Sequence, residues 1–206
     1  MEQKKKTALT RQKILDAAET EFTEKGPDAA RVDRIARMAG VNKQLLYAHF
    51  GSKEGLYTAV LEAVYGRLSL CEETLIETEF DGPDTVRHII LDYFGFLMEN
   101  PSFVRLVLWE NLSGARYIPE MSPRLFRGAE QLLRCGVSRG FLREDLDIEQ
   151  TVLSLNMFCF SAFSNVHTLS RLLDRDLAAQ QEMARRSAHI ADVLTAYVQK
   201  REAMPA

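Results

Sequence analysis

The chain has 206 residues, 46% hydrophobic and 27% charged, a balance that supports a sizeable buried core and excludes a disordered chain. A formal charge of −3 and an isoelectric point near 5.9 exclude a generic binder of polyanions. The charge is uneven, since residues 1–51 hold 10 Lys and Arg against 7 Asp and Glu while the remainder is acidic, so the basic character lies at the N-terminal end.

Lys4-Lys5-Lys6 reads as a basic arm ahead of the first helix, suited either to following a phosphate backbone or to solubility alone. Thr7-Ala8-Leu9-Thr10 leads straight to Arg11 and Lys13, so no apolar run follows the arm and no secretory signal is expected. Ile35, Ala36 and Ala39 then recur at helical spacing, Gly40 stands where a helix end needs a positive φ, and Asn42 is placed to cap a further helix from Lys43 to Phe50. Two short helices around a glycine turn make a helix-turn-helix, whose second helix enters the DNA major groove while the first packs across its back. Leu46 and Phe50, four apart, bury one face of that second helix. Lys43, Gln44, Tyr47 and Ala48 take the other arc, where a lysine and a glutamine reach base edges and a tyrosine hydroxyl reaches phosphate.

Beyond Ser52 there is no alternating strand pattern, and turn signals fall at Gly82-Pro83, Asn100-Pro101, Ser113-Gly114, Pro119, Pro123 and Gly140, so the expected class is all-α. Leu56, Val60, Val64 and Leu68 stripe a fourth helix that links an N-terminal head, residues 1–52, to a helical body, residues 53–206. Val86, Ile89, Ile90, Tyr93, Phe94 and Leu97 mark a fifth helix, and the apolar run from Phe103 to Trp109 a short sixth one. From Ile148 to Leu173 one face carries Val152, Leu155, Cys159, Phe163 and Val166, and the opposite side Leu153, Met157, Phe158 and Phe160. A helix apolar all round is buried all round, most simply with one side against its own core and the other against a second copy, the alternative being that both sides close a monomeric core. With the last helix, striped by Ile190, Val193, Leu194, Tyr197 and Val198, this predicts a four-helix interface; the residues assigned to it are Val152, Leu155, Cys159, Val166, Ile190, Val193, Leu194 and Tyr197.

The segment Ile14 to Leu56 resembles the DNA-binding domain of the tetracycline-repressor family of transcriptional regulators. The resemblance rests on Ile14-Leu15-Asp16-Ala17-Ala18, Phe22, Gly26, Ile35-Ala36, Gly40-Val41, Tyr47, His49-Phe50 and Ser52-Lys53-Glu54. It implies a three-helix DNA-binding head and a C-terminal body for ligand binding and dimerisation. It further implies Lys43 and Gln44 as base readers, Tyr47 and His49 as phosphate or groove contacts, and Lys53 as a phosphate contact at the N-terminus of the fourth helix, which Ser52 is placed to cap. Tyr47 and His49 also suit plain packing of a small domain. The family usually has a threonine or serine pair before its second helix. Here Ala30 and Arg31 stand instead, and Arg31 is expected to take over the phosphate contact.

Phe94, Phe96, Trp109, Phe158, Phe160 and Phe163 are of a kind to line an apolar effector pocket, with Glu110, Asn111, Arg116, Tyr117, Asn156 and His167 as polar groups to orient a guest, although aromatics at helical spacing equally suit plain core packing. The run from Pro101 to Glu120, with Leu-Trp-Glu-Asn-Leu at 108–112, is similar to the C-terminal body of the pyrimidine-responsive branch of the family, and no ligand follows from that. Three widely spaced cysteines, Cys71, Cys135 and Cys159, suit reduced thiols in a cytosol. His49, His88, His167 and His189 are scattered, and no phosphate-cradling glycine loop, paired Cys-x-x-Cys or His-Glu-x-x-His occurs, so neither an enzyme nor a metal or cofactor site is expected. No stretch is apolar enough to cross a membrane. The expectation is a cytoplasmic, homodimeric repressor that binds a palindromic operator in double-stranded DNA and answers to a small-molecule effector. The alternative is a helical protein-interaction adaptor that keeps the helix-turn-helix as scaffold.

Overall fold

The computed structural model describes residues 2–118 and 126–200. The described residues form helices α1 (Glu2–Ala29), α2 (Val32–Ala39), α3 (Lys43–Phe50), α4 (Lys53–Ile76), α5 (Pro83–Glu99), α6 (Pro101–Leu112), α7 (Arg127–Ser138), α8 (Ile148–Ser164), α9 (Val166–Leu172) and α10 (Gln180–Val198). A lone antiparallel bridge joins Leu142 to Gln199. The chain packs as two compact units, Met1–Arg67 with Pro101–Met121, and Leu68–Asn100 with Ser122–Ala206.

In the first unit α1 packs on α2 and α6, and α2 on α3. Ile14, Ala18, Phe22, Ile35, Leu46, Leu56 and Leu106 are fully buried and form its core. The apolar residues of α1 recur three and four apart, which draws one face of the helix inward. Near its end α1 breaks at Gly26, with φ 75° and ψ 170°, and Pro27 starts a last short turn. The break makes room for Trp109 of α6. A Cβ on Gly26 would lie 2.9 Å from three atoms of the indole, so both the backbone conformation and the close approach demand glycine. The indole Nε1 points back to the Thr23 carbonyl at 3.5 Å.

A polar knot ties α4 to α6 in this unit. The buried Tyr57 hydroxyl donates to Glu110 Oε1 at 2.9 Å, and the Tyr117 backbone N–H donates to Oε2 at 2.9 Å. The Tyr57 ring meets Phe22 and Tyr117 edge-on at 4.8 and 5.3 Å. Arg67 grips Glu19 with both terminal nitrogens, at 3.2 and 2.7 Å, and Ser102 donates to the same carboxylate at 2.5 Å.

In the second unit α10 lies along α5, and α8 packs on α5, α7 and α10. Leu68, Ile90, Leu97, Leu142, Cys159, Ala191 and Val198 are fully buried. Gly136 lets α7 approach the Phe80 ring, which a Cβ would meet at 2.6 Å. The Arg143 N–H donates to the Val198 carbonyl at 3.0 Å, fastening the α7–α8 connection to the end of α10.

Several features differ from the sequence reading. Lys4, Lys5 and Lys6 fall within α1 instead of preceding it. The apolar run from Ile148 is two helices, interrupted at Asn165, whose side-chain nitrogen donates to the Ser161 carbonyl at 3.5 Å. Packing does not divide the chain at residue 52, because Trp109 and Glu110 draw α6 onto α1 and α4. Pro119, Pro123 and Glu120 lie outside the described residues.

The face of α8 and α10 assigned to a partner copy is corrected by burial. Val152, Leu155, Cys159, Ile190 and Leu194 are all within 5% of full burial inside their own unit, so they are core and cannot meet a second chain. Val166 is half-buried, and only Val193 and Tyr197 of that set are exposed. The apolar residues left in water are those of the opposite side, Leu153, Met157 and Phe158, together with Val193 and Tyr197. Both faces of α8 are apolar, and periodicity alone did not say which one α5 would cover.

Candidate nucleic-acid interface

The helix-turn-helix is set by three local devices. Gly40 ends α2 in the left-handed region, φ 67° and ψ 32°, and its N–H reaches back to the α2 carbonyls. Asn42 caps α3, its side-chain oxygen accepting from the Leu45 N–H at 2.8 Å. Ser52 caps α4 in the same way, accepting from the Gly55 N–H at 3.0 Å.

The start of α2 is built differently. Arg31 occupies the cap position and its side chain makes no cap. Glu21 of α1, only 1% exposed, supplies the missing acceptor: one carboxylate oxygen takes the Arg31 N–H at 3.1 Å, and the other lies 2.9 Å from Arg34 Nε. Arg34 also pairs with Glu24 at 3.0 Å. A carboxylate at a helix N-terminus suits the positive end of the helix dipole. Sequence reasoning missed Glu21; the available signal was an acid on the same helical stripe as Ile14, Ala17 and Ala18.

With Leu46 fully buried, α3 presents Lys43, Gln44, Tyr47 and Ala48 to solvent, and Leu45 beside them, which the sequence reading did not name. Tyr47 is 42% exposed. His49 is half-buried against Phe50, their ring centroids 6.1 Å apart, and Arg11 lies over the Phe50 ring at 5.0 Å. His49 thus has a packing role, and Arg11 belongs to the same surface.

Two of the basic candidates are engaged within the protein. Lys43 Nζ pairs with Asp33 at 2.5 Å, and this hydrogen bond raises the lysine above its ordinary pKa. Lys53 donates to the Asp28 carbonyl at 2.8 Å, closing the end of α1. At the N-terminus of α4, Glu54 already accepts from its own backbone N–H and from the Ser52 hydroxyl, and its carboxyl is lowered by both. A phosphate placed there would compete with Glu54, and Lys43 would have to leave Asp33 before it could contact anything else.

The described geometry is that of a helix-turn-helix with a polar reading surface, and comparison with known proteins settles its family. Residues 83–194 match the family model for the tetracyclin repressor-like C-terminal domain, and residues 14–60 that for bacterial regulatory proteins of the tetR family. The chain belongs to the tetracycline-repressor family. Among characterised relatives of this regulator, the transcriptional repressor NicS of Pseudomonas putida is 30% identical over 181 residues, covering 85% of each chain. The repressor SCO4008 of Streptomyces coelicolor is 33% identical over 138 residues, 66% of this chain and 68% of that one. The crystal structure of the transcriptional regulator SCO4942, also of Streptomyces coelicolor, superimposes with a TM-score of 0.69 at 27% identity, over 92% of this chain and 98% of the other. This regulator is therefore a helix-turn-helix DNA-binding protein of a ligand-responsive family.

The effector candidates read from sequence fall in both units. In the first, Trp109 covers Gly26, Glu110 is committed to Tyr57 and Tyr117, Arg116 lies 5.3 Å over the Tyr117 ring, and Asn111 is exposed. In the second, Phe94 packs on Phe163 at 4.7 Å, and Asn156 donates to the Tyr93 hydroxyl at 3.0 Å. Phe160 is half-buried and His167 is exposed. The second unit also holds a void of about 10 Å³ lined by Glu72, Tyr93, Phe126 and Leu155, room for about one water. Glu72 accepts the Gly128 N–H at 3.1 Å, and burial raises its carboxyl above the usual range. Burial likewise raises Cys71 and pushes Cys159 up to about 12, so neither is a reactive thiolate at neutral pH. Among the described residues, no helix is long and apolar enough to cross a membrane.

Proposed function

We propose that this regulator is a cytoplasmic homodimeric repressor that docks α3 of each copy into successive major grooves of a palindromic operator and lets go when an effector binds the second unit. The exposed arc of α3 carries this reading: Lys43, Gln44, Tyr47 and Ala48 face solvent on a helix anchored by Leu46 and capped by Asn42. Arg31, Lys53 and His49 border that arc as backbone contacts, Lys53 after leaving the Asp28 carbonyl. Twofold symmetry of the protein demands half-sites about one helical turn apart, because two heads bind well only when both fit.

The second copy covers the exposed apolar residues Leu153, Met157, Phe158, Val193 and Tyr197 of α8 and α10. Helix α4 belongs to both units, Lys53–Arg67 to the first and Leu68–Ile76 to the second, so a ligand that shifts it changes what the heads can reach. That two relatives are named as repressors supports the direction of regulation.

The test is selection of bound sequences from a random DNA pool by the full-length protein and by Tyr47→Ala. Enrichment of a palindrome by the first and its disappearance with the second is the expected result. No enrichment at low salt would sink the reading and favour an adaptor that keeps the fold without reading DNA.

A further inference from the structure

We propose that the N-terminal turns of α1, together with Arg11, are a second DNA-contacting element, which grips phosphates beside the groove entered by α3 and reads no bases. Residues 1–13 hold Lys4, Lys5, Lys6, Arg11 and Lys13 against one acid, Glu2. Helix α1 takes up this segment from Glu2 onward, although the core of its unit begins only at Ile14. From Lys5 to Leu9 every residue is exposed, so this part of the helix buries nothing within its own unit. At the rise of an α-helix the stretch from Glu2 to Thr10 is about 13 Å long, the length of about four base pairs.

Arg11 fixes where the stretch leaves the head. It continues the α1 stripe of Leu15, Ala18 and Phe22 one turn beyond the core, and its guanidinium lies 5.0 Å over the ring of Phe50, the last residue of α3. Stacking uses the face of a guanidinium and leaves the donors around its edge for an acceptor. The basic surface of α1 is therefore continuous with the end of the reading helix. Lys6 and Lys13, seven apart, stand on one line of α1 about 10 Å from each other.

These cations are also the available ones. Lys43 and Lys53 of the helix-turn-helix are held by Asp33 and by the Asp28 carbonyl. Lys5, Lys6, Arg11 and Lys13 are exposed and make no ion pair among the described residues. Asp16, the first acid after Glu2, accepts from Gln12 Nε2 at 2.7 Å. A phosphate meets the lysines of α1 without displacing a carboxylate, and DNA presents one negative charge per about 1.7 Å of its axis. An anionic lipid surface needs an apolar face beside the lysines, and from Lys5 to Lys13 the one large apolar side chain is Leu9. A second copy would set like charges together. The proposal rests on DNA binding by the head, which family membership establishes, and on neither the palindrome nor the effector proposed above.

The test is equilibrium DNA binding by the full-length protein over a range of salt, on a sequence selected from a random pool and on a duplex of unrelated sequence. The native protein is compared with the pair Lys5→Gln and Lys6→Gln, and with the pair Lys5→Arg and Lys6→Arg. Each phosphate contact steepens the fall of log affinity with log salt by about 0.9. The glutamine pair should flatten that slope by up to about 1.8 per bound copy on both duplexes, and weaken binding by about tenfold or more at about 0.1 M salt. The arginine pair should behave as the native protein. The glutamine pair should select the same sequence as the native protein and melt at the same temperature, because both lysines are exposed. Arg11→Gln should flatten the slope by about 0.9 more, and Arg11→Lys should restore it. An unchanged slope, a loss shared by the arginine pair, a different selected sequence or a lowered melting midpoint would each overturn the proposal. So would native binding to vesicles of phosphatidylserine and phosphatidylcholine that the glutamine pair abolishes while the DNA slope stays, which would give the segment to a membrane. If the native protein selects no sequence, the operator reading fails and the unrelated duplex still decides for or against the basic segment.

Discussion

Replacing Tyr57 with phenylalanine isolates one hydrogen bond in the knot that ties α4 to α6. Tyr57 is 1% exposed and Glu110 fully buried, and the hydroxyl at 2.9 Å satisfies Glu110 Oε1 while the Tyr117 N–H satisfies Oε2. Phenylalanine keeps the ring and its edge contacts with Phe22 and Tyr117, so the change is one oxygen. A hydrogen bond to a carboxylate is worth about 1.5–3 kcal/mol, and the acceptor left behind keeps its desolvation cost. At about 2–4 °C per kcal/mol for a chain of this size, the melting midpoint should fall by about 3–12 °C. The alkaline limb gives an independent check. Burial first, and then the bond to Glu110, push the Tyr57 hydroxyl far above its ordinary range, and burial pushes Tyr65 up to about 12. A proton held more tightly by the folded state gives stability that is complete below the unfolded pKa, near 10, and lost as pH rises through the folded value. The native protein should therefore lose stability above about pH 10 through both tyrosines, and Tyr57→Phe through Tyr65 alone. Thermal melts at neutral and alkaline pH read both effects. A midpoint lowered by under about 1 °C, or an unchanged alkaline loss, would refute the assignment of the knot.

Asn42→Ala removes the acceptor of the Leu45 N–H and should cost about 1 kcal/mol in denaturant unfolding, with weaker DNA binding because the first turn of α3 frays. Asp33→Asn frees Lys43 and should tighten DNA binding, by an amount that shrinks as salt is raised; weaker binding in a titration would mean that Lys43 works only as an ion-pair partner. Glu72 has its carboxyl raised mainly by burial, so its contribution to stability is present below the unfolded value and lost as pH climbs through the folded one. Glu72→Gln should accordingly raise the melting midpoint at neutral pH, with the gain vanishing in acid below the usual carboxylate range. Met157→Asp places a charge in the exposed apolar face of α8 and should shift sedimentation from dimer toward monomer without a large change in helical content.

The head was legible because its signals are local. Gly40, Asn42 and Ser52 act on residues within a few positions of themselves, and the conformations read from their chemistry are those found. Glu21 was not legible, since the absence of a hydroxyl before α2 reads as a missing cap, and the replacement comes from ten residues away on another helix. The same limit governs Lys43 and Lys53. A lysine near a reading helix is a candidate DNA contact by type, and only coordinates reveal that Asp33 and the Asp28 carbonyl hold the two in the free protein.

The body failed in a more instructive way, because α8 has two apolar faces and a hydrophobic pattern carries no label for which neighbour each will meet. Val152, Leu155 and Cys159 went to α8's own unit, leaving Leu153, Met157 and Phe158 in water. The same ambiguity touched α6. Trp109 and Glu110 have the character of ligand-binding residues, an aromatic plane and a buried acid, yet each is consumed by a partner within the first unit, Gly26 and Tyr57. A carboxylate already satisfied by two donors has little left to offer a guest. Residue type proposes an effector site, and the balance of donors against acceptors weighs the proposal: Glu110, with one oxygen taken by Tyr57 and the other by the Tyr117 N–H, has no oxygen left without a donor.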